Sequence, residues 1–104
     1  MDKSVPNDWS VEIVTNGPYG QILYHEGSDG TSFFWQFGGG DIVAIVHIDP
    51  AQGWNEKYPW AAGRRREVLE RMIEEVIRKK APTCTAEVDE TSGVICLRER
   101  KQTD

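Results

Sequence analysis

The alternation of apolar and polar positions divides the chain into strand-like segments and one helical segment. In the first half, four segments rich in β-branched and aromatic residues alternate with turn sequences, and they cover residues 9–14, 21–25, 32–37 and 42–48. The turns 16–18, 27–30 and 38–41 are short and rich in glycine, which favours antiparallel hairpins. The sequence therefore predicts a four-stranded antiparallel meander.

A helix is predicted over residues 59–81, ahead of Pro82, because its apolar positions recur every three to four residues. Two further strand segments, 84–88 and 94–98, follow it across a polar turn. The expected fold is α+β, with an antiparallel sheet in β-β-β-β-α-β-β order packed against one long amphipathic helix. We expect a single domain over residues 1–104, with 1–7 and 99–104 as flexible tails.

Strand parity indicates that the sheet is apolar on both faces. Phe33, Trp35 and Phe37 project to one side and Phe34 to the other. One helix covers one face, so the second face needs another cover. The segment that carries Trp54, Tyr58 and Trp60 is one candidate, and an interface with another molecule is the alternative.

Charge is distributed unevenly along the chain. Residues 1–56 contain eight acidic side chains and one basic one, Lys3, whereas the rest of the chain is weakly basic and the whole carries a net charge of −5. A local excess of one sign speeds the encounter with an oppositely charged partner, so the acidic half predicts a basic protein partner. Net negative charge argues against nucleic-acid binding.

Side chains with catalytic or metal-binding potential are few. His25 and His47 lie on strands that the meander separates, and neither belongs to a paired-ligand pattern. Parity turns Cys84 inward and Cys96 outward, which opposes a disulfide and fits a reducing compartment. The glycines at 38–40 lead into a strand rather than a helix, unlike a phosphate-binding loop. We therefore predict no catalytic residue, metal or cofactor.

Three consecutive arginines, Arg64 to Arg66, lie near the predicted helix start, where they oppose the helix dipole. Helical stepping turns Arg65 toward the sheet and Arg64 to the opposite side. The simpler interpretation pairs Arg65 with an acid such as Asp41 or Asp49. The alternative is an anion site formed by Arg65, Arg66 and His47.

Function follows from these features only as a hypothesis. No segment is long and apolar enough to span a membrane, and no signal peptide is evident, so we expect a cytoplasmic protein. We predict a non-enzymatic protein-binding module, most concretely a small acidic immunity-type inhibitor of a basic toxin or nucleic-acid-acting enzyme. The alternatives are a binder of small anions or an enzyme subunit with a cleft at the helix start, and a homodimer. The predicted partner-binding residues are Glu26, Asp29, Phe34, Asp41, Asp49, Trp54 and Tyr58.

Overall fold

The computed structural model describes residues 9–100, which form a six-stranded antiparallel sheet packed against one long helix. The strand order is β1-β2-β3-β4-β6-β5. This arrangement confirms the predicted α+β class, the four-stranded meander and the order of elements along the chain. The strands are β1 (Trp9–Asn16), β2 (Tyr19–Glu26), β3 (Asp29–Phe37), β4 (Ile42–His47), β5 (Cys84–Asp89) and β6 (Val94–Glu99).

The helical region differs from its prediction at its N-terminal end. It consists of α1 (Trp54–Lys57), a 3₁₀ turn (Pro59–Ala61) and the long helix α2 (Arg65–Lys80). Gly63 breaks the predicted helix because it has φ of 77° and donates its N–H to Asn55 Oδ1 at 2.8 Å. The long helix therefore begins at residue 65 instead of 59.

The core lies between α2 and one face of the sheet, which we call the covered face. Its strand residues alternate with outward-facing neighbours, as the period of a strand requires. Side chains of α2 at helical spacing fill the opposite wall. The largest fully buried side chains are Tyr24, Ile22, Met72, Ile95, Leu97, Val46 and Val68.

The C-terminal hairpin places the two cysteines as strand parity predicts. Cys84 is buried on the covered face, whereas Cys96 is half-buried on the other face, and both are free thiols. The predicted tail over 99–104 is wrong at its start, because Glu99 ends β6 and the Arg100 N–H donates to the Thr83 carbonyl at 2.8 Å. The rest of that tail and the predicted tail 1–7 lie outside the described residues. No helix within residues 9–100 is long and apolar enough to cross a membrane.

Candidate functional site

The sheet surface that faces away from α2 has no helix or loop packed over it within the described residues, and we call it the open face. Antiparallel pairing and alternation bring apolar and aromatic side chains from five strands onto this surface. An aromatic row runs across its centre: the ring centroids of Tyr19 and Phe34 are 6.0 Å apart, and those of Phe34 and His47 are 5.4 Å apart. The apolar and aromatic members of the open face are Val14, Tyr19, Leu23, Phe34, Ile45, His47, Val94 and Cys96.

The aromatic segment that we expected as an internal cover lies on the other side of the sheet. Trp54 is buried in the core and donates its indole N–H to the Ala61 carbonyl at 2.9 Å. Trp60 stacks on Tyr24 of the covered face, with centroids 6.4 Å apart. The internal-cover hypothesis is therefore wrong, because this segment packs into the core on the covered face.

A polar cleft opens at one end of the open face, where β3 and β4 separate. Their pairing covers only Trp35–Phe37 against Ala44–Val46. Beyond it the strands leave a space of about 460 Å³, which we call the strand cleft. Its lining comprises Thr31, Ser32, Phe33, Phe34, His47, Ile48, Asp49, Lys57 and Tyr58.

Tyr58 bridges the separated strands at the base of the strand cleft. Its hydroxyl donates to Asp49 Oδ2 at 2.5 Å and accepts from Thr31 Oγ1 at 3.0 Å. Burial and the hydrogen bond to the Asp49 carboxylate raise the pKa of Tyr58, so it remains a phenol at neutral pH. The second Asp49 oxygen lies 3.2 Å from the Lys57 ammonium, which is mostly exposed.

Acidic side chains surround the aromatic row, whereas arginines concentrate on the helix side. Glu12, Glu87 and Asp89 project from β1 and β5 on the open face, and Asp41 lies in the adjoining turn. Arg98 is a basic side chain on this surface, and it pairs with Glu87 at 2.8 Å and Asp41 at 3.2 Å. The open face is therefore acidic on balance, with acids from both halves of the chain.

Glu26 belongs to a buried ion-pair network on the opposite side of the sheet. Its side chain is only 4% exposed, and its two oxygens lie 2.5 Å from Arg64 Nη2 and 3.0 Å from Arg71 Nη1. The Tyr24 hydroxyl donates to the same carboxylate at 2.8 Å. Glu67 completes the network by pairing with both arginines at 2.9 and 2.8 Å. This network fastens the start of α2 to the end of β2.

The network shifts the pKa of its members. Burial alone would raise the pKa of Glu26, but the hydrogen bonds from Arg64 and Tyr24 and the two guanidinium charges outweigh it, so the pKa lies below its usual range. Burial raises the pKa of Tyr24 to about 12. The hydrogen bond to Glu26 raises the pKa of Arg64. At neutral pH the network therefore contains a carboxylate, two guanidinium groups and a phenol.

Comparison with models of protein families, with curated proteins and with solved structures finds no match. The candidate site therefore depends on geometry and chemistry alone.

The predicted partner-binding residues divide into two groups in the structure. Phe34, Asp49 and Tyr58 meet at the strand cleft, and Asp41 adjoins the open face. Asp29 is exposed and is the first residue of β3. Glu26, Trp54 and Tyr58 are buried and have polar partners inside the protein, but Tyr58 also lines the strand cleft, where it holds Asp49 in place. A direct contact with a partner is therefore unavailable to Glu26 and Trp54, and we remove them from the candidate surface.

The predicted anion site is not assembled. Arg65 makes a bidentate pair with Glu90 at 2.8 and 2.9 Å and donates to the Asp49 carbonyl, so its carboxylate partner is Glu90 instead of Asp41 or Asp49. Arg66 is exposed and pairs with Glu70 at 3.1 Å. His47 lies on the open face, away from both arginines.

Arg64 differs most from its prediction. Helical stepping directed it away from the sheet, yet it reaches Glu26. The reason is that Arg64 precedes the first helical residue, with φ of −123°, so helical geometry does not apply to it.

His25 and His47 lie on strands separated by β3, as predicted. Within residues 9–100, no group of three or more His, Cys, Asp or Glu side chains could hold a metal ion.

Proposed function

We propose that this protein is a non-enzymatic protein-binding module that binds a basic partner protein through its open face. The observation that carries the proposal is the aromatic row of Tyr19, Phe34 and His47 on a sheet surface that no element of the described chain covers. Contiguous exposed apolar surface with a polar rim is typical of protein-interaction sites. Large aromatic side chains supply most of the binding energy in such sites.

The rim charges support a basic partner. Glu12, Asp89 and the Glu87–Arg98–Asp41 cluster leave this surface acidic on balance. Complementary charge steers encounter and raises the association rate, most strongly at low salt. The concrete form we propose is an immunity-type inhibitor that occludes the cationic active site of a toxin or nucleic-acid-acting enzyme. The small size and the acidity of the chain support this form.

The strand cleft supplies an anchoring point for a basic side chain of that partner. Asp49 is held in place by Tyr58, while its other oxygen contacts the exposed Lys57 at 3.2 Å. An exposed ion pair is worth little, so a partner's arginine can displace Lys57 at low cost. A guanidinium entering the cleft would pair with Asp49 and stack on Phe34.

A second copy of this chain is a poorer occupant of the open face. In a twofold dimer the same patch meets itself, which brings acidic rims toward each other. We expect wild-type protein to sediment as a monomer. A dimer that dissociates on Phe34→Asp would show that the open face is a self-association surface.

Parallel affinity capture tests the proposal. Wild-type protein, Phe34→Asp and Asp49→Asn are immobilised and exposed to native cell extract at low and high salt. We expect a basic protein to be held in stoichiometric amount by wild type, with its recovery falling as salt rises. Both variants should lose most of it, because one removes the central aromatic anchor and the other removes the anchoring charge.

Val88→Asp is the matched control. Val88 is 55% exposed and lies on a strand, but on the helix side of the sheet, whereas Phe34 is 43% exposed on the open face. Adding an acid at Val88 should leave partner recovery unchanged. Equal recovery on wild type, Phe34→Asp and Asp49→Asn would contradict the proposal.

A further inference from the structure

An apolar cavity of about 280 Å³ lies between the sheet and the C-terminal end of α2. It lies on the covered face, and the sheet separates it from the open face. The helix ends at Lys80, which lines the cavity. Its lining comprises Ile13, Thr15, Ile22, Trp35, Phe37, Val43, Ala44, Val46, Val76, Lys80, Ala81 and Leu97.

The wall of the cavity formed by Trp35 is fixed in position. The Trp35 indole N–H donates to the Val14 carbonyl at 3.3 Å. Gly20 faces the ring, and a Cβ at that position would lie 2.8 Å from Trp35 Nε1 and even closer to the Val14 carbonyl. The absence of a side chain at Gly20 therefore leaves room for the indole at this position. The hydrogen bond from Trp35 to the Val14 carbonyl gives the cavity a preformed wall.

A β-bulge enlarges the apolar lining. The pairing of β4 with β6 shifts register between Ile42 and Ala44. The extra residue lets Val43 and Ala44, although consecutive, both line the cavity. Bulges of this kind redirect side chains next to functional sites.

The mouth of the cavity combines an apolar and a cationic group. Phe37 is one of the exposed large hydrophobic residues and lies edge-to-face on Trp35, with centroids 5.2 Å apart. Lys80 is the charged residue in the lining, which contains no acidic side chain. Among the described residues Lys80 has no ion-pair partner, whereas its neighbour Lys79 donates to the Val11 carbonyl at 2.6 Å.

We propose that this cavity binds a small amphipathic anion, with its apolar chain inside and its anionic headgroup at Lys80. Apolar walls with one convergent polar group are typical of small-ligand sites. At roughly 30 Å³ for each water-sized group, the space holds about nine such groups. A medium-chain carboxylate or alkyl phosphate has an apolar chain of about that number of groups. The ammonium of Lys80 accepts either headgroup because it acts as a compact point charge.

Titration calorimetry with decanoate, decyl phosphate and decylamine below their micelle concentrations tests this assignment. We expect saturable binding of one anion per chain and no comparable binding of decylamine. The two anions show whether the site prefers a carboxylate or a phosphate. Lys80→Gln should weaken the anions roughly tenfold, the effect of losing one charge-assisted hydrogen bond.

Two further variants complete the test. Lys57→Gln removes an exposed lysine at the strand cleft and should leave anion binding unchanged. Val43→Phe should fill the cavity and weaken the binding of both anions. Lys80 is exposed, so Lys80→Gln keeps the test valid if Val43→Phe misfolds. The assignment is overturned by absent saturable binding, by equal binding of decylamine, or by unchanged affinity in Lys80→Gln.

Discussion

Phe33 and Phe34 are adjacent in the chain and occupy opposite faces of the same sheet. Phe33 is 3% exposed in the core, whereas Phe34 is 43% exposed at the centre of the aromatic row. Both faces are apolar enough to bury, yet α2 and the aromatic segment lie on one of them. Apolar composition therefore does not reveal which face is core; the position of the covering elements decides it.

The two faces also use charge differently. On the covered face, Glu26 is paired with Arg64 and Arg71, and these ion pairs hold α2 to the sheet. On the open face, the acids surround an aromatic row and remain accessible. The same residue types therefore stabilise the fold on one side and define a candidate interface on the other.

The largest expected contrast is between alanine substitutions at the two phenylalanines. Phe33→Ala should lower the free energy of unfolding by about 3–5 kcal/mol, because it leaves a cavity in the core. Phe34→Ala should change it by less than about 1 kcal/mol, because the side chain is already half in water. Urea unfolding followed by circular dichroism measures both. Similar losses would show that the open face is packed in solution.

A smaller loss is expected from Glu26→Gln, which removes the buried carboxylate and leaves Arg64 and Arg71 with Glu67 as their remaining shared carboxylate. We expect about 2–3 kcal/mol, below the usual cost of breaking a fully buried pair because the Arg64 and Arg71 side chains are 30% and 17% exposed. Glu70→Gln, which disrupts the exposed pair with Arg66, should cost less than about 0.5 kcal/mol. If both variants lost the same free energy of unfolding, the Glu26 network would have no special role in stabilising the fold.

The Glu26 network also predicts a pH dependence. The pKa of Glu26 is lower in the folded state than in the unfolded state, so the unfolded chain binds protons first as pH falls. The stabilising contribution is complete above the ordinary pKa of about 4.3 and is lost as pH falls through the folded value. Between pH 5 and 3, wild type should lose stability more steeply than Glu26→Gln. If the stability of wild type and of Glu26→Gln changed in parallel with pH, the lowered pKa of Glu26 would be contradicted.

The smallest effect concerns the cysteines, which report on the two faces without perturbing them. Burial raises the pKa of the Cys84 thiol, so its thiolate is scarce and shielded. Cys96 lies half-buried on the open face. A thiol reagent should modify Cys96 rapidly in the native protein and Cys84 only on unfolding. Cys96→Ser should abolish the rapid reaction. Equal rates for both thiols would invalidate the face assignment.

Local patterns predicted the parts of the fold that depend on local geometry. Alternation placed Phe33 and Phe34, and likewise Cys84 and Cys96, on opposite faces, because side chains in a strand alternate whatever surrounds them. The same parity places Glu26 with Ile22 and Tyr24 on the covered face. That signal could have identified it as a buried residue.

Other features depend on contacts between distant segments. The start of α2 depends on the backbone of Gly63 and its bond to Asn55, which helical periodicity does not report. Arg64 reaches Glu26 only because of that break. The strand cleft arises where β3 and β4 stop pairing, although β3 is a strand from Asp29 onward. Sequence patterns brought Phe34, Asp49 and Tyr58 to attention separately, and tertiary structure assembles them.

Site-specific photo-crosslinking in the native cell tests whether the open face contacts the partner. A photoreactive phenylalanine analogue is placed at Phe34 in one protein and at Glu74, exposed on α2, in another. We expect one adduct with a basic protein from position 34 and no such adduct from position 74. The same adducts from both positions, or none from position 34, would contradict the assignment of the open face as the binding surface.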